Sequence, residues 1–364
     1  MKKKGRKRRS GSKQLRRRKR KIQAAVLALL VFAGFAAGML LYQNQNSRVE
    51  IGEEVRGIWL AYVDFKEVGL YNKSEDKFRE NAEKFFRRAE KNSVNTVFFH
   101  VRAFRDASYP SDTFPMSRYI WDKEEEIPYD PLEIMTELAH EHNMQLHAWL
   151  NPYRNTDFDK KILDPAASES TEEILTCVRE ILDHYEVDGI HFDDYFYTED
   201  AELSAEEKMK NVNRMVRSVY ETVKEYGEEI QFGISPAGNT GYCESIGADI
   251  KTWMSEEGYV DYLAPQIYWT DQHSATWREK MFSDTLKEWI SLNEREVRLY
   301  IGLALYRAGE KASDDPGWGK RDDNLARQLR ILREEGCQGY ILFSAKDLYR
   351  KGARQELENY RNQV

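Results

Sequence analysis

The chain has 364 residues, is 41% hydrophobic and 32% charged, and carries a formal net charge of -7. The charge is lopsided: the first 21 residues hold 14 Lys or Arg and no acid, leaving 41 bases against 62 acids, a balance of -21, in the rest. An exterior so acidic repels phosphate backbones and excludes nucleic acid as a partner, while three widely spaced cysteines, Cys177, Cys243 and Cys337, form neither a disulfide framework nor a zinc-ligand spacing.

From the N-terminus, the basic tail (1-21) runs into "AAVLALLVFAGFAAGMLLY", nineteen uncharged residues from Ala24 to Tyr42. A bilayer core takes about 20 apolar residues in a helix, whereas the apolar part of a cleavable signal has roughly 7 to 15. Segment 22-42 is therefore expected to be a single transmembrane signal anchor. Its basic flank stays in the cytoplasm, and everything after Tyr42 lies outside. Small residues near Ala36 and Gly38 leave cleavage, and hence secretion, as the alternative. No cysteine follows the segment in a lipid-attachment context. Residues 43-54 read as a polar linker, and 55-364 as one large domain.

Within that domain, short β-branched and aromatic runs alternate with charged segments of helical period. The strand candidates are "VRGIWLAY" from Val55, "TVFFHVR" from Thr96, "QLHAWLNP" from Gln145, "GIHFDDYF" from Gly189, "IQFGISPAG" from Ile230, "YLAPQIYW" from Tyr262, "RLYIGLALY" from Arg298 and "GYILFSA" from Gly339. Between them, stretches such as "EDKFRENAEKFFRRAEKN" and "TEEILTCVREILDHY" place apolar residues at i, i+3, i+4 and i+7. Strict alternation implies a parallel sheet, and eight units close most naturally into a (β/α)8 TIM barrel. A doubly wound sheet would carry a glycine-rich turn after an early strand, and none is present. The long segment from Ala103 to Pro131 then belongs at the catalytic mouth.

Barrel chemistry gathers at the C-terminal strand ends. Those ends carry Asp64; Arg102 and Asp106; Asn151 and Arg154; Asp193, Asp194 and Tyr195; Ser235 and Asn239; Gln266, Tyr268, Trp269 and Asp271; Tyr306 and Arg307; and Ser344. In "VDGIHFDDYFY", His191, Asp193 and Tyr195 share one strand face, and Ile190, Phe192 and Asp194 the other. One aspartate can face the mouth while its neighbour orients it or caps the next loop. Two adjacent carboxylates repel, raising one pKa as a general acid requires. Aromatics interleaved with amides, carboxylates and guanidinium groups suit a sugar, whose apolar faces stack on rings while its hydroxyls take the polar groups. His100, His147 and His191 lie on three consecutive strands and could instead hold a catalytic zinc, although no HxH or HExxH spacing occurs.

The stretches "RGIWLAYVDF", "NTVFFHVRAFRDASYPS", "HAWLNPYR", "ILDP", "VDGIHFDDYFY", "FGISPAGN", "LAPQIYW", "LYIGLALYRAG" and "GYILFSAKDL", in that order, resemble the bacterial glycosyl-hydrolase-like 10 family over about Val55 to Asp347. The resemblance implies a (β/α)8 glycosidase fold and hydrolysis of glycan strands, peptidoglycan stripped of stem peptides being one member's substrate. The family pattern falls on Asp64, Asp106, Asn151, Arg154, Asp164, Asp193, Asp194, Tyr195, Gln266, Tyr268 and Trp269. The expected catalytic groups are Asp193 and Asp194 with a partner drawn from Asp64, Asp106 or Asp271, and Asp64 is placed first. Arg102, Asp106, Asn151, Arg154, Tyr195, Gln266, Tyr268, Trp269 and Tyr306 are expected to bind substrate, and no cofactor or metal is implied. The partner is a cell-wall polysaccharide. A metal-dependent polysaccharide deacetylase and a non-catalytic glycan-binding barrel are the alternatives.

Overall fold

The structure, a computed structural model, describes residues 54-156, 162-275 and 277-364. Its strands are β1 Val55–Leu60, β2 Thr96–Arg102, β3 Gln145–Leu150, β4 Gly189–Asp193, β5 Gln231–Ser235, β6 Tyr262–Leu263, β7 Arg298–Leu303 and β8 Gly339–Phe343. They pair in parallel in chain order, and β8 closes on β1. The principal helices that follow each strand are α1 Glu75–Lys91, α2 Pro131–Glu141, α3 Ser168–His184, α4 Ala205–Tyr226, α5 Ile250–Ser255, α6 Met281–Ser291, α7 Asn324–Glu334 and α8 Arg354–Arg361. This is the expected (β/α)8 barrel.

Local chemistry explains the elements. β2 and β3 are buried along their whole length, as strands covered on both faces must be. Helix α1 turns Phe78, Ala82, Phe85, Phe86 and Ala89 onto the barrel. Asp130 starts α2 by accepting from the Leu132 and Glu133 amides, with Pro131 in the first turn. Ser204 and Glu207 start α4 by capping each other's backbone amides. Inside the barrel, glycines face large rings: a Cβ on Gly233 would lie 2.3 Å from the Tyr262 ring, and one on Gly189 2.6 Å from His147. Glycine at those two positions lets both rings fill the axis.

Three differences from the sequence reading bear on the site. Only Tyr262 and Leu263 of "YLAPQIYW" form a ladder, because Pro265 has no N–H to give; pairing resumes at single bridges from Gln266 to Ala237 and Gly302. After β1 the chain turns into a 3-10 helix, Tyr62–Asp64, so Asp64 sits in a turn and not at a strand end. The long segment after β2 is gathered by Glu180 of α3, which accepts from the Tyr109 hydroxyl (3.0 Å), the Ser111 hydroxyl (2.7 Å) and the Asp112 amide (2.9 Å). No helix among the described residues is long and apolar enough to cross a membrane. The basic tail, the expected anchor 22-42 and all but the last residue of the linker lie outside the described residues.

Candidate active site

At the C-terminal ends of the strands a cleft of about 300 Å³ opens. Two roomier grooves, of about 480 and 510 Å³, lie on α4 and around the start of β7. Neither gathers a carboxyl and several aromatic rings from different strand ends. The cleft does: Trp59, Tyr62, Trp149, Tyr195, Tyr268 and Phe343 form its walls.

Asp193, the last residue of β4, lines this cleft and is 8% exposed. Its Oδ1 accepts from the Gln266 side-chain amide (3.1 Å) and from the Asp194 backbone amide (2.9 Å). Gln266 is itself fixed by a second hydrogen bond, to the Ser235 carbonyl (3.0 Å). Burial pushes the Asp193 pKa up, against the pull of the Arg154 charge. Asp194 does not line the cleft; its carboxyl lies near the Ala237 backbone and Cys243, and its pKa is raised by burial and then by the Asp193 charge. The two carboxyls lie within hydrogen-bond reach of each other, and burial with mutual repulsion favours the pair holding one proton. Arg154 lines the same cleft, its guanidinium 4.5 Å from the ring centroids of both Phe104 and Tyr195. Asn151 sits below, wholly buried, donating to the Ala103 carbonyl (2.8 Å). Tyr268 stacks on Phe343, and Tyr306 meets both rings edge-on at the rim.

Several expected site residues are elsewhere. Asp64 is fully buried behind the β1 turn, where it accepts from the Ser344 hydroxyl (3.0 Å), Lys346 Nζ (3.1 Å) and the Ala61 amide (3.3 Å). Arg102 should share a face with His100 by strand alternation, but a register shift between them turns it outward. There it pairs with Glu173 (2.9 Å) and lies over Phe114. Asp106 is occupied by the Phe104 amide (2.9 Å) in its own loop, and Asp271 by the Ser283 amide and hydroxyl (both 2.7 Å) at the start of α6. Trp269 packs over Gly238 and against Trp277, outside the cleft. The sequence reading missed Ala61, Val63 and Phe343 as lining residues. Phe343 follows Ile341 at a spacing of two on β8, so alternation alone would have turned it inward.

The three histidines do not converge on a common point. The Tyr262 hydroxyl lies 2.9 Å from His147 Nδ1 and 3.0 Å from His191 Nδ1, and Trp59 donates to His191 Nε2. His100 is stacked on Trp149 with centroids 3.8 Å apart. Among the described residues no three His, Cys, Asp or Glu side chains are arranged to hold a metal ion, and the alternative of a three-histidine zinc site has no such geometry behind it.

The pattern of the family described as glycosyl hydrolase-like 10 matches residues 54–158 and 198–320. The glycosyl hydrolase DigH of Escherichia coli O6:H1 is 32% identical over 342 residues, covering 73% of this chain and 76% of its own. The glycosyl hydrolase YngK of Bacillus subtilis is 29% identical over 388 residues, covering 88% and 73% respectively. Among solved structures, the PgaB (BpsB) glycoside hydrolase domain of Bordetella bronchiseptica superposes with a TM-score of 0.60 at 12% identity, covering 85% of this chain and 98% of that one. The Ostrinia furnacalis Group IV chitinase gives 0.58 at 11% identity, with 85% and 99% covered. At such identities these two likenesses carry the fold alone.

Proposed function

We propose that this chain, which belongs to the glycosyl hydrolase-like 10 family, hydrolyses O-glycosidic bonds of peptidoglycan-type cell-wall glycan outside the cytoplasm. One observation carries the reading: Asp193 is the one carboxyl among the described residues lining the aromatic cleft, and the carboxyl of its neighbour Asp194 lies within hydrogen-bond reach of it. The basic run and the uncharged segment 22-42 support a signal anchor that leaves the barrel outside the cell membrane, or a secreted protein if that segment is cleaved.

A two-carboxylate mechanism needs a second acid group about 5 to 9.5 Å across the scissile bond. Asp64, Asp106 and Asp271 are each engaged elsewhere. Participation by the 2-acetamido group of an N-acetylated sugar fits better. Asp193 gives its proton to the glycosidic oxygen as the C1–O bond breaks, and the acetamido carbonyl oxygen bonds to C1. Water then attacks C1, its proton returns to the Asp193 carboxylate, and the acetamido group is released intact with the anomeric configuration retained. Asp194 shares the resting pair's proton and orients Asp193, and the Gln266 hydrogen bond keeps Asp193 turned to the cleft.

The test is to incubate the full chain, purified in detergent, with intact and amidase-treated peptidoglycan and to read the products by mass spectrometry. Shorter glycans with acetyl groups retained are expected, and excess EDTA should leave the rate within about twofold, since no step uses a metal-bound water. Released acetate, or loss of activity to the chelator, would instead indicate a deacetylase. Tight binding without products would indicate a non-catalytic glycan-binding barrel.

A further inference from the structure

Four exposed aromatic side chains, Tyr195, Tyr242, Trp277 and Tyr306, follow β4, β5, β6 and β7 in turn; among the described residues Tyr226, at the end of α4, and Tyr349, packed on Arg88 in the last turn of α1, are exposed elsewhere. Tyr195 and Tyr306 belong to the cleft and its rim. Trp277 does not line the cleft, yet it is 44% exposed and braced. Its ring meets Trp269 edge-on, with centroids 5.6 Å apart at 86°. The Arg278 guanidinium lies 5.4 Å from its centroid and is tied to Glu288 of α6. Trp269 is seated in turn on the backbone after β5, where a Cβ on Gly238 would come within 2.8 Å of its ring. The indole is thus fixed from below while its outer part stays in water, on the β6–α6 segment that also carries Tyr268 of the cleft wall.

We propose that Trp277, braced by Trp269, is a sugar-binding subsite outside the cleft that stacks on a further pyranose of the same glycan strand, so that the protein selects long strands over short oligosaccharides. This rests on the glycan reading of the cleft. The occupant follows from continuity and size. The same segment carries Gln266 on Asp193, Tyr268 in the cleft wall, Trp269 as the brace and Trp277 as the outer ring. A cleft of about 300 Å³ lies at the small end of ligand sites, about 300 to 1,000 Å³, so a polymer bound there runs past it. A single fixed ring flanked by a guanidinium suits the flat apolar face and hydroxyl edge of a sugar. It is too little for a protein partner, which needs about 800 Å² a side.

The experiment compares Trp277→Ala and Trp277→Phe with the unmodified full chain on two probes, long peptide-free glycan strands and a tetrasaccharide of the same repeat. For Trp277→Ala, kcat/KM on the strands relative to that on the tetrasaccharide should fall about fivefold or more, through KM, as loss of one stacking contact predicts. Trp277→Phe should recover most of it. Equal losses on both probes, or no change on either, would overturn the subsite. Strand binding is also measured in an Asp193→Asn background without turnover. If the unmodified chain hydrolyses nothing but Trp277→Ala still weakens strand binding there, the subsite stands and the hydrolase reading falls. If binding is unmoved by Trp277→Ala, the subsite falls whatever the activity.

Discussion

Trp59 on β1 donates its indole N–H to Nε2 of His191 on β4, 3.1 Å away across the barrel. The indole can only donate, so His191 Nε2 must be unprotonated. The neutral ring then carries its proton on Nδ1 and donates to the Tyr262 oxygen, leaving the Tyr262 hydroxyl to donate to His147 Nδ1. Trp59 and His191 therefore set the hydrogen-bond direction of a chain that runs through the barrel axis beneath the cleft.

That chain works only with neutral rings, and burial holds His191 well below its usual pKa and lowers His147 to about 4. An unfolded His147 takes up a proton from pH 6.5 downward, whereas the folded one resists until about pH 4. Stability is therefore full above pH 6.5 and is lost as pH falls through that window, by about 3 kcal/mol for His147. His147→Gln, which can still accept from Tyr262, should flatten the fall in melting temperature between pH 6.5 and 4. Parallel slopes for the variant and the unmodified chain would count against the neutral chain.

Asp193→Asn and Asp194→Asn should each lower turnover at least about a hundredfold, the scale of losing a positioned acid or its proton source. Their effect on stability has the opposite sign. Both carboxyls are raised in the fold, so ionising them costs the folded state, and that cost grows as pH rises above the ordinary carboxyl range. Each variant should melt level with or above the unmodified chain at neutral pH, and the difference should vanish toward pH 4. Early unfolding with normal turnover in the remaining folded protein would make the pair structural.

Asp64→Ala should behave in the reverse manner. It strips the acceptor from the Ser344 hydroxyl, Lys346 and the Ala61 amide, at a cost of about 1 to 3 kcal/mol. Turnover of the folded fraction should stay within about threefold. A hundredfold loss of kcat without a change in melting temperature would return Asp64 to the catalytic set.

The membrane arrangement is checked by a reporter that works only outside the cytoplasm. Fused after Val364 it should be active, and the mature N-terminus should still carry the basic run. Activity only when the reporter is fused before Ala24 would reverse the orientation, and a mature chain beginning near Met39 would show cleavage.

Strand positions were legible in the sequence because eight apolar runs are separated by helical stretches, and period alone distinguishes the two. Asp193 was legible for the same reason: it shares a face with His191, and both point inward. Alternation does not carry the placement of the other expected residues. Arg102 sits beyond a bulge, and Asp64 beyond a strand that ends four residues earlier. Asp106 and Asp271 are taken by backbone amides of neighbouring turns. A carboxylate that caps and one that faces a ligand have the same letter, and only the third dimension separates them.

Glu180 has a consequence for how ligand is received. By gathering Tyr109, Ser111 and Asp112 it fixes the excursion after β2. That excursion supplies Phe104 and Tyr119, which back the cleft side chains Tyr62 and Arg154. Ordering a mobile backbone costs about 1 to 2 kcal/mol per residue, and here that ordering is complete when the chain folds. One wall of the cleft is therefore propped, before any ligand arrives, by a carboxylate on an outer helix that does not line the cleft.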